Sequence, residues 1–465
     1  MFSNPILNTD SYKASHYLQY PPGTEVVSSY IEPRGGRFRE TLFFGLQAFL
    51  KEALAHPLVQ ADIDEAEALF SAHGEPFNRA GWERILQQHG GCLPLEISAL
   101  PEGLVVPTGT ALVQVHNTDP QLFWLTGYLE TALLRAVWYP STVATLSWQM
   151  KQVLHRYLQE TGTQSGAQLQ FKLHDFGARG ASSRESAALG GMAHLVSFAG
   201  TDTVSALLAA RRYYGADMAG FSIPAAEHAT ITSWGRAGEV DAYANMLAQF
   251  GKPGAVLAVV SDSYDIGHAV SHLWGERLRR QVQESGATLV VRPDSGAPVQ
   301  IVPEVLERLY AAFGGHVNTR GYRVLSDCVR VIQGDGVDVN TLPLILESIR
   351  QAGFATENVA FGMGAGLLQK VDRDTLGFAM KASAIRIDGQ WHDVYKQPVT
   401  DPGKTSRRGR LAVVRGAGRR VDTLRADALG GRENLLRPVY RNGELLVDED
   451  FDRIRERAAR APMCP

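Results

Sequence analysis

The chain has 465 residues and carries 46 basic and 49 acidic side chains, for a formal net charge of −3 at pH 7. This balance gives no general attraction to nucleic acid or to an anionic membrane, so the expected partner is a small molecule. The length predicts two or three domains, each large enough to bury a core of its own.

Three cysteines, Cys92, Cys328 and Cys464, are isolated from one another and match neither a disulfide framework nor a metal-ligand pattern. They favour a reducing compartment. The N-terminal sequence has no basic segment followed by an apolar run, and no long uncharged apolar stretch follows it. We therefore expect a soluble, cytoplasmic protein.

Residues 1–150 mix helical and strand-like patterns and predict an N-terminal α+β domain without an active centre of its own. Helices are predicted at 42–55, 62–72, 81–89 and 124–139, and a β-hairpin at 104–116.

Residues 151–385 repeat a unit of apolar strand, polar or glycine-rich loop and amphipathic helix, which predicts a parallel sheet. Seven strands are predicted, at 171–174, 195–198, 221–223, 255–260, 288–291, 329–333 and 359–361. Polar residues follow nearly every strand, whereas a doubly wound sheet concentrates them at a switch point. We therefore expect an α/β fold with an irregular TIM-like (β/α) barrel as the catalytic domain.

A further strand is predicted at 378–387, and a loop rich in Lys, Arg and Gly follows at 396–410. Short strands at 411–415 and 435–440 and a helix at 451–460 complete the chain. Residues 386–465 are expected to rejoin residues 1–150 as one discontinuous α+β domain.

The stretch 169–183 is the most informative part of the chain. It begins with the alternation of a strand, and Ser182 with Glu185 predicts a capping box for the next helix. Between them, Phe176 and Arg179 suit a flat, electron-poor ring that is stacked by the phenyl group and held by the guanidinium. On this stretch alone, a core role for Phe176 is the simpler interpretation.

The predicted barrel brings the ends of all seven strands to one rim. The candidate residues there are His174, Asp175, Phe176, Arg179, Asp202, Glu227, His228, Asp262, Asp265, Arg292, Asp294 and Asp335. Arginines and glycine turns before helices suit phosphate, and carboxylates suit ribose hydroxyls or hydrated Mg²⁺.

Three other motifs are weak. Gly362 and Gly364 match the first two glycines of a dinucleotide-binding fingerprint, but Leu367 replaces its third glycine. The sequence that ends at Lys404 resembles a P-loop, but Pro398 replaces the first glycine of that motif. His228 has no second histidine at ligand spacing, which argues against zinc.

Eight segments together resemble the nicotinamide phosphoribosyltransferase family, a type II phosphoribosyltransferase family related to nicotinate phosphoribosyltransferase. They are TDSYKASHY (9–17), KLHDFGARG (172–180), GTDT (200–203), PAAEHATIT (224–232), VSDSYDI (260–266), RPDSG (292–296), QGDGVD (333–338) and GLLQK (366–370). The likeness runs nearly collinearly from residue 9 to about residue 410.

This resemblance implies transfer of a phosphoribosyl group from phosphoribosyl pyrophosphate to nicotinamide, in a cytoplasmic homodimer with shared active sites and with Mg²⁺ as a cofactor. ATP is implied as the phosphate donor to His228. The implied catalytic residues are His228, Asp294, Arg292 and Glu227. The implied substrate-binding residues are Tyr12 of a second subunit, Phe176, Arg179, Asp202, Asp265, Gly334, Asp335, Gly364 and Arg373, and the phosphate-binding ones are Arg34, Lys381, Lys396 and Lys404. The metal ligands stay unknown, with Mg²⁺ expected to be held mainly through substrate phosphates.

Asp202 separates the two nearest substrates, because its carboxylate would accept a hydrogen bond from a carboxamide and repel the carboxylate of nicotinate. The sequence departs from the family pattern at Ala365, where a positive φ would cost about 1 kcal/mol, and at Ala379, near Lys381. The alternatives are a nicotinate phosphoribosyltransferase, a Schiff-base lyase that uses Lys172 or Lys381, and a non-catalytic nucleotide-binding sensor.

Overall fold

The computed structural model describes residues 4–163, 166–400, 405–416 and 421–461. Two residues named above, Lys404 and Cys464, lie outside these ranges. The chain forms two compact units. Unit one comprises Met1–Thr145, Ala209–Ala216 and Asp372–Ala461, and unit two comprises Leu146–Leu208 and Asp217–Val371.

The strands in the described residues are β1 Thr24–Pro33, β2 Glu40–Leu42, β3 Leu95–Ala99, β4 Val105–Pro107, β5 Val113–Asn117, β6 Leu173–Asp175, β7 Gly200–Thr201, β8 Val256–Val260, β9 Thr288–Arg292, β10 Gly315–Val317, β11 Arg323–Leu325, β12 Val329–Gln333, β13 Val359–Met363, β14 Phe378–Ile387, β15 Gln390–Asp393, β16 Leu411–Arg415, β17 Val421–Arg425, β18 Arg437–Arg441 and β19 Glu444–Leu445.

The α-helices are α1 Leu46–Phe49, α2 Gln60–His73, α3 Arg79–His89, α4 Leu125–Tyr128, α5 Glu130–Thr161, α6 Arg184–His194, α7 Val204–Tyr214, α8 His228–Thr232, α9 Glu239–Phe250, α10 Ile266–His268, α11 Arg279–Ser285, α12 Pro298–Phe313, α13 Thr341–Gln351, α14 Ala365–Leu368 and α15 Phe451–Ala459. Two π-helical segments, Leu50–Leu54 and Ala269–Arg277, follow α1 and α10. Within the described ranges, no helix combines the length and the apolar character that a membrane crossing requires.

Unit one is built on a seven-stranded sheet in the order β15-β14-β1-β5-β3-β18-β19. Its longest pairing joins β14 antiparallel to β1, from Thr24 opposite Ile387 to Pro33 opposite Phe378. Because this pairing places the whole of β14 in unit one, a domain boundary after residue 385 would cut through the strand. The hairpin predicted at 104–116 is wrong, since β4 pairs with β2 while β5 pairs with β1 and β3.

Unit two is a mixed α/β unit with a curled parallel sheet in the order β7-β6-β13-β12-β9-β8. Single parallel bridges join Phe221 to Gly200 of β7 and Ala225 to Ala258 of β8. The irregular segment 221–225 therefore touches both edge strands, and it occupies the place of the third predicted strand. The apolar sequences of β8, β9, β12 and β13 fit a sheet that is covered on both faces.

The strand predicted at 171–174 is confirmed within two residues, because β6 begins at Leu173, after the 3₁₀ helix Gly166–Phe171. The strand predicted at 195–198 is wrong. Residues 195–198 continue the end of α6, because the N–H of Phe198 bonds to the carbonyl of His194 at 3.1 Å. The cap of α6 is Ser183, whose Oγ accepts from the N–H of Ser186 at 3.0 Å, and not the predicted Ser182.

Candidate active site

The site in unit two lies at the carboxyl ends of the parallel strands, as expected for chemistry carried by strand-to-helix loops. Parallel pairing brings these ends to one edge of the sheet. The residues that follow the strands are Phe176 after β6, Asp202 after β7, Asp262 after β8, Asp294 after β9, Gly334 and Asp335 after β12, and Gly364 after β13.

Phe176 lies against the loop edge of β13. Its backbone N–H donates to the carbonyl of Met363 at 3.0 Å. Its ring packs so closely on Gly362 that a Cβ there would come within 2.0 Å of Cε2 of the ring. The ring also packs against a small apolar cluster of Ala258, Val290 and Ile332. The core interpretation of Phe176 is therefore partly right, although the side chain is only half-buried.

Asp175 is a fully buried carboxylate that ties two of these loops together. Its Oδ1 accepts from the N–H of Gly177 at 2.8 Å, and its Oδ2 accepts from Oγ1 of Thr201 at 3.3 Å. Its carbonyl accepts from the N–H of Asp202 at 3.0 Å. Burial raises the pKa of Asp175, and these hydrogen bonds oppose the rise. Hydrogen bonds to Asp175 thus connect the loop that carries Phe176 to the loop that carries Asp202.

Asp202 is exposed, and one of its carboxylate oxygens is already engaged. The Oγ of Ser222 donates to its Oδ1 at 2.5 Å. Ser222 lies on the segment 221–225, and sequence reasoning did not identify it, because a serine in an irregular segment has no distinguishing pattern. The second carboxylate oxygen of Asp202 has no hydrogen bond of this kind among the described residues.

His228 sits between two acids. Its Nε2 lies 2.9 Å from Oδ1 of Asp262, and its Nδ1 lies 3.9 Å from Oδ2 of Asp294. The imidazole is 47% exposed, whereas the side chain of Asp262 is 2% exposed. Asp262 is therefore a buried support for an accessible histidine ring. It was among the strand-end candidates, but no role was assigned to it.

Asp262 also fixes the loop after β9. Its Oδ2 accepts from the backbone N–H of Asp294 at 2.9 Å. Burial by itself would raise the pKa of Asp262, but hydrogen bonds from Ser295, then from His228 and from this N–H, hold the pKa below its usual value. The group is thus an ionised acceptor near neutral pH.

Arg292 is positioned beside Asp294, with Nη2 3.6 Å from Oδ2 of the carboxylate. Its Nε is buried and finds no hydrogen-bond partner among the described residues. A buried unpaired donor of this kind is costly unless a ligand satisfies it. Arg292 is therefore suited to receive an anionic group.

Two other candidates act as helix caps. Asp265 accepts from the N–H of His268 at 2.9 Å, and this bond lowers the pKa of its carboxyl. Glu227 precedes α8, and its N–H donates to Oγ1 of Thr230 at 3.2 Å. Capping explains the carboxylate of Asp265 without a ligand, whereas the hydrogen bond of Glu227 is made by its backbone. The implied catalytic and substrate roles of both residues stay predictions.

The remaining candidates of unit two lie in turns. Arg179 is exposed in the 3₁₀ turn Ala178–Gly180, and Gly334 and Asp335 follow β12 directly. Gly364 is the cap residue of α14, which begins at Ala365. Ala365 does not have a positive φ, so the strain expected from such a conformation is absent at this residue.

Unit one carries a separate group of cationic side chains, Lys13, Arg34, Lys381 and Lys396. Glu130 lies among them, with Oε2 2.7 Å from Nζ of Lys13 and Oε1 3.7 Å from Nζ of Lys381. Burial lowers the pKa of Lys381; Glu130 opposes this, and the neighbouring cations reinforce it. Nη2 of Arg34 is buried and finds no partner within the described ranges. This cluster of cationic side chains is therefore suited to bind an anion.

The other candidates of unit one are exposed. Tyr12 is 55% exposed in the 3₁₀ helix Ser11–Leu18. Arg373 pairs with its neighbour Asp374 at 3.0 Å, and Lys396 lies in the loop after β15. The implied roles of these residues, and of Lys404 outside the described ranges, stay predictions.

Comparison with known proteins decides the family. The model of the nicotinate phosphoribosyltransferase (NAPRTase) family matches residues 171–444, and a model of the nicotinamide phosphoribosyltransferase N-terminal domain matches residues 4–97. The chain belongs to the NAPRTase family. The resemblance found in the sequence motifs is thereby confirmed.

Three relatives of the chain share one name. A "Nicotinamide phosphoribosyltransferase" of Xanthomonas campestris pv. campestris is 57% identical over 98% of both chains. Proteins of the same name from Acinetobacter baylyi and Mycoplasma pneumoniae are each 34% identical, over 98% and 87% of this chain and 97% and 95% of their own.

Two solved structures share the NAPRTase-like fold. A nicotinate-nucleotide pyrophosphorylase from Pyrococcus furiosus aligns with a TM-score of 0.63 at 18% identity, over 98% of this chain and 95% of the other. Human nicotinic acid phosphoribosyltransferase aligns with a TM-score of 0.56 at 19% identity, over 97% and 92%. At these identities the likeness concerns the fold alone.

The structure argues against Lys172 as a Schiff-base nucleophile in this NAPRTase-family chain. Lys172 is 6% exposed, and its Nζ donates to the carbonyls of Glu357 at 2.9 Å and Val359 at 3.1 Å. Burial lowers its pKa to about 7, which by itself would suit a nucleophile. A substrate carbonyl cannot reach an amine that is enclosed in this way.

The described residues contain no group of three or more His, Cys, Asp or Glu side chains arranged to hold a metal ion.

Proposed function

We propose that the chain transfers a phosphoribosyl group from phosphoribosyl pyrophosphate to the ring nitrogen of nicotinamide, giving nicotinamide mononucleotide and pyrophosphate. The name shared by relatives of up to 57% identity supports this reaction. The observation that carries the choice of nicotinamide is the exposed carboxylate of Asp202, anchored beside the loop of Phe176 through Asp175.

Asp202 supplies the selectivity in this proposal. Ser222 donates to one carboxylate oxygen and leaves the other oxygen to accept from a carboxamide N–H₂. Nicotinate would bring a second negative charge to the same place. The repulsion and the lost hydrogen bond both act against nicotinate, so together they discriminate between the two substrates.

The reaction breaks the bond between C1′ and the pyrophosphate oxygen, and the pyridine nitrogen forms the new bond with its lone pair. Pyrophosphate leaves with the electron pair of the broken bond, so no general base is needed. The protein must instead stabilise cationic character at C1′ and negative charge on the leaving group. Asp294 is placed for the sugar side, and Arg292 with its unpaired Nε is placed for phosphate oxygens.

Magnesium fits the residues present, because Mg²⁺ keeps most of its water and needs only one or two carboxylates. Asp294 is 26% exposed and can offer an oxygen, whereas both oxygens of Asp262 are already hydrogen-bonded. When bound, Mg²⁺ would neutralise charge on the leaving pyrophosphate. Asp294 and the exposed Asp335 are the residues proposed to hold it, together with substrate phosphates.

ATP is proposed as the phosphate donor to His228. The ring is accessible, and hydrogen bonding of its Nε2–H to Asp262 would leave the lone pair on Nδ1. Asp262 thus sets the tautomer and orientation of the ring, as the acid does in a nucleophile–base pair. Phosphate on this histidine would add charge approaching −2 near Arg292.

The complete assembly is proposed to be a homodimer in which Tyr12 of a second subunit stacks the other face of the pyridine. The curled sheet is proposed as an irregular (β/α) barrel, and residues 1–150 and 386–465 as one discontinuous domain. The cytoplasm is the proposed compartment, consistent with free thiols at Cys92 and Cys328.

The test is product formation by the purified chain with phosphoribosyl pyrophosphate, Mg²⁺ and nicotinamide, with and without ATP. We expect equal amounts of nicotinamide mononucleotide and pyrophosphate, and a higher rate with ATP. Pyrophosphate release with nicotinate alone would establish the nicotinate enzyme instead, and no release with either would leave a non-catalytic sensor.

A further inference from the structure

Two histidines lie side by side on the helix that follows β8, outside the site described above. His268 ends α10, and His272 lies four residues later in the π-helical segment Ala269–Arg277. Their ring centroids are 5.1 Å apart and their planes are inclined by 43°. Both side chains are exposed, so an ion can reach them from solvent.

This separation suits a chelate. Two imidazoles that bind one tetrahedral ion at about 2.0–2.1 Å have ring centroids about 5 Å apart. Glu276 adds the usual supporting contact, because its Oε2 lies 3.1 Å from Nδ1 of His272. A carboxylate that accepts from Nδ1–H leaves the lone pair on Nε2 and raises its basicity as a ligand.

The backbone that carries the pair is fixed by packing. Val270 and Trp274 of the π-helical segment are fully buried. The indole of Trp274 stacks on Tyr243 with centroids 4.5 Å apart, and its Nε1–H donates to Oγ of Ser261 at 3.1 Å. The backbone therefore loses little conformational entropy when the two rings bind an ion.

Two acids in contact with the pair favour a cation. Oε2 of Glu276 lies 3.1 Å from Nδ1 of His272, and Asp265 caps α10 by accepting from the N–H of His268. The cation of the adjacent helix, Arg308, is paired with Glu304 at 2.8 Å and donates to Oγ of Ser271 at 3.1 Å. Its charge is thus largely compensated.

We propose that His268 and His272 form a binding site for a divalent transition-metal ion of the class that prefers imidazole, such as Zn²⁺, Ni²⁺ or Cu²⁺. Since the described chain assembles no third protein ligand there, water completes the coordination. Mg²⁺ prefers oxygen ligands and is not bound at this site. The site does not depend on the proposed transferase activity.

The experiment is isothermal titration of the untagged full-length chain with ZnCl₂, and separately with NiCl₂ and MgCl₂. We expect one saturable equivalent of Zn²⁺ or Ni²⁺ per chain and no such binding of Mg²⁺. His272→Ala and His268→Ala should each weaken the binding at least about tenfold, and Glu276→Gln should weaken it by up to about tenfold. His316→Ala, which removes an exposed histidine on β10, is the matched control.

Paramagnetic broadening by Ni²⁺ of the ring protons of His268 and His272 locates the ion independently of affinity. Broadening of other histidines alone would overturn the proposal. Binding that persists unchanged in the His268→Ala/His272→Ala double variant would also overturn it. The exposed position of both rings lets these variants keep the fold, which an unchanged Tm verifies.

Discussion

In the proposed function, the choice between the two pyridine substrates depends on Asp202. The hydroxyl of Ser222 donates to one of its carboxylate oxygens, and its backbone N–H donates to the carbonyl of Asp175. A carboxylate held in one orientation discriminates better than a mobile one, because the wrong substrate cannot push it aside at little cost.

Replacing Asp202 by Ala is expected to lower the ratio of kcat/KM for nicotinamide to that for nicotinate by at least about tenfold. Tm should change little, because the side chain is exposed. Steady-state kinetics with both substrates and a thermal melt measure the two effects. Asp241→Ala, which removes an exposed acid from α9, is the control and should leave the ratio unchanged.

Gly362 limits where the Phe176 ring can lie, since an added Cβ would come within 2.0 Å of it. Gly362→Ala is therefore expected to displace the ring and raise KM for nicotinamide about tenfold or more. The backbone itself tolerates alanine, because φ at this position is not positive.

A double-mutant cycle separates ring displacement from general damage. In a Phe176→Leu background, Gly362→Ala should add less than about a twofold further loss, because the ring it displaces is already gone. Fully additive losses would mean that the two residues act independently, contrary to the geometry.

At the residue scale, the positions of the strand-end candidates could be predicted, and their partners could not. Asp202, His228 and Arg292 follow apolar runs, which is a local pattern. The donation by Ser222 joins residues 20 positions apart across two loops, and the bond between His228 and Asp262 spans 34 positions. Such pairings depend on the register of the sheet, which single-sequence patterns do not determine.

Among the elements, β6 and β13 share an unusual link. The amine of Lys172, just before β6, donates to the carbonyls of Glu357 and Val359 at the start of β13. It satisfies two buried acceptors, yet its own charge is buried and forms no salt bridge with a carboxylate of the described residues. The lowered pKa records this unfavourable burial of the charged form.

This burial predicts a pH dependence of stability. The pKa of Lys172 is about 7 in the folded protein and 10.5 for the free side chain. Between these values the unfolded chain binds more protons, so the free energy of unfolding rises with pH. Below about 7 both states are protonated, and the destabilisation is complete.

The measurement is the Tm of the natural chain and of Lys172→Met in matched buffers from pH 7 to pH 9.5. The natural chain should gain stability relative to the variant as the pH rises. A constant difference in Tm would mean that the pKa of Lys172 is not lowered in the folded protein, and that its amine is accessible to water.

Strands with long apolar runs were predictable at the element scale. The predictions at 255–260, 288–291, 329–333, 359–361 and 378–387 are confirmed within one or two residues. The strand predicted at 195–198 is wrong because this apolar run continues the last turn of α6. The apolar alternation that starts at residue 169 runs through a 3₁₀ helix before it reaches β6, because such short alternation also fits a 3₁₀ turn.

For the whole molecule, the division into units depends on contacts that are remote in sequence. β14 belongs to unit one because it pairs with β1, more than 340 residues away in the chain. Near residue 150 the sequence changes to a repeated pattern of strand, loop and helix, which supports a domain boundary there. Such local patterns do not reveal the strand with which β14 pairs. The segment 209–216 joins unit one for the same kind of reason.

A shared active site predicts complementation between inactive variants. If Tyr12 of one subunit completes the site of the other, Tyr12→Ala and Asp294→Ala chains mixed at equal amounts form heterodimers with one intact site. After exchange of subunits, nicotinamide turnover should recover to about a quarter of the natural rate, because half of the dimers are mixed and each has one working site. Rates that stay at the mean of the two variants would place Tyr12 outside the partner's site.

The central claim, that one acid makes this NAPRTase-family chain an enzyme for the amide, is tested most directly by a competition assay. The purified chain receives phosphoribosyl pyrophosphate, Mg²⁺, ATP and equal concentrations of nicotinamide and nicotinate, and the two mononucleotides are quantified. We predict that nicotinamide mononucleotide exceeds nicotinate mononucleotide by at least about a hundredfold. An excess of nicotinate mononucleotide would contradict the account.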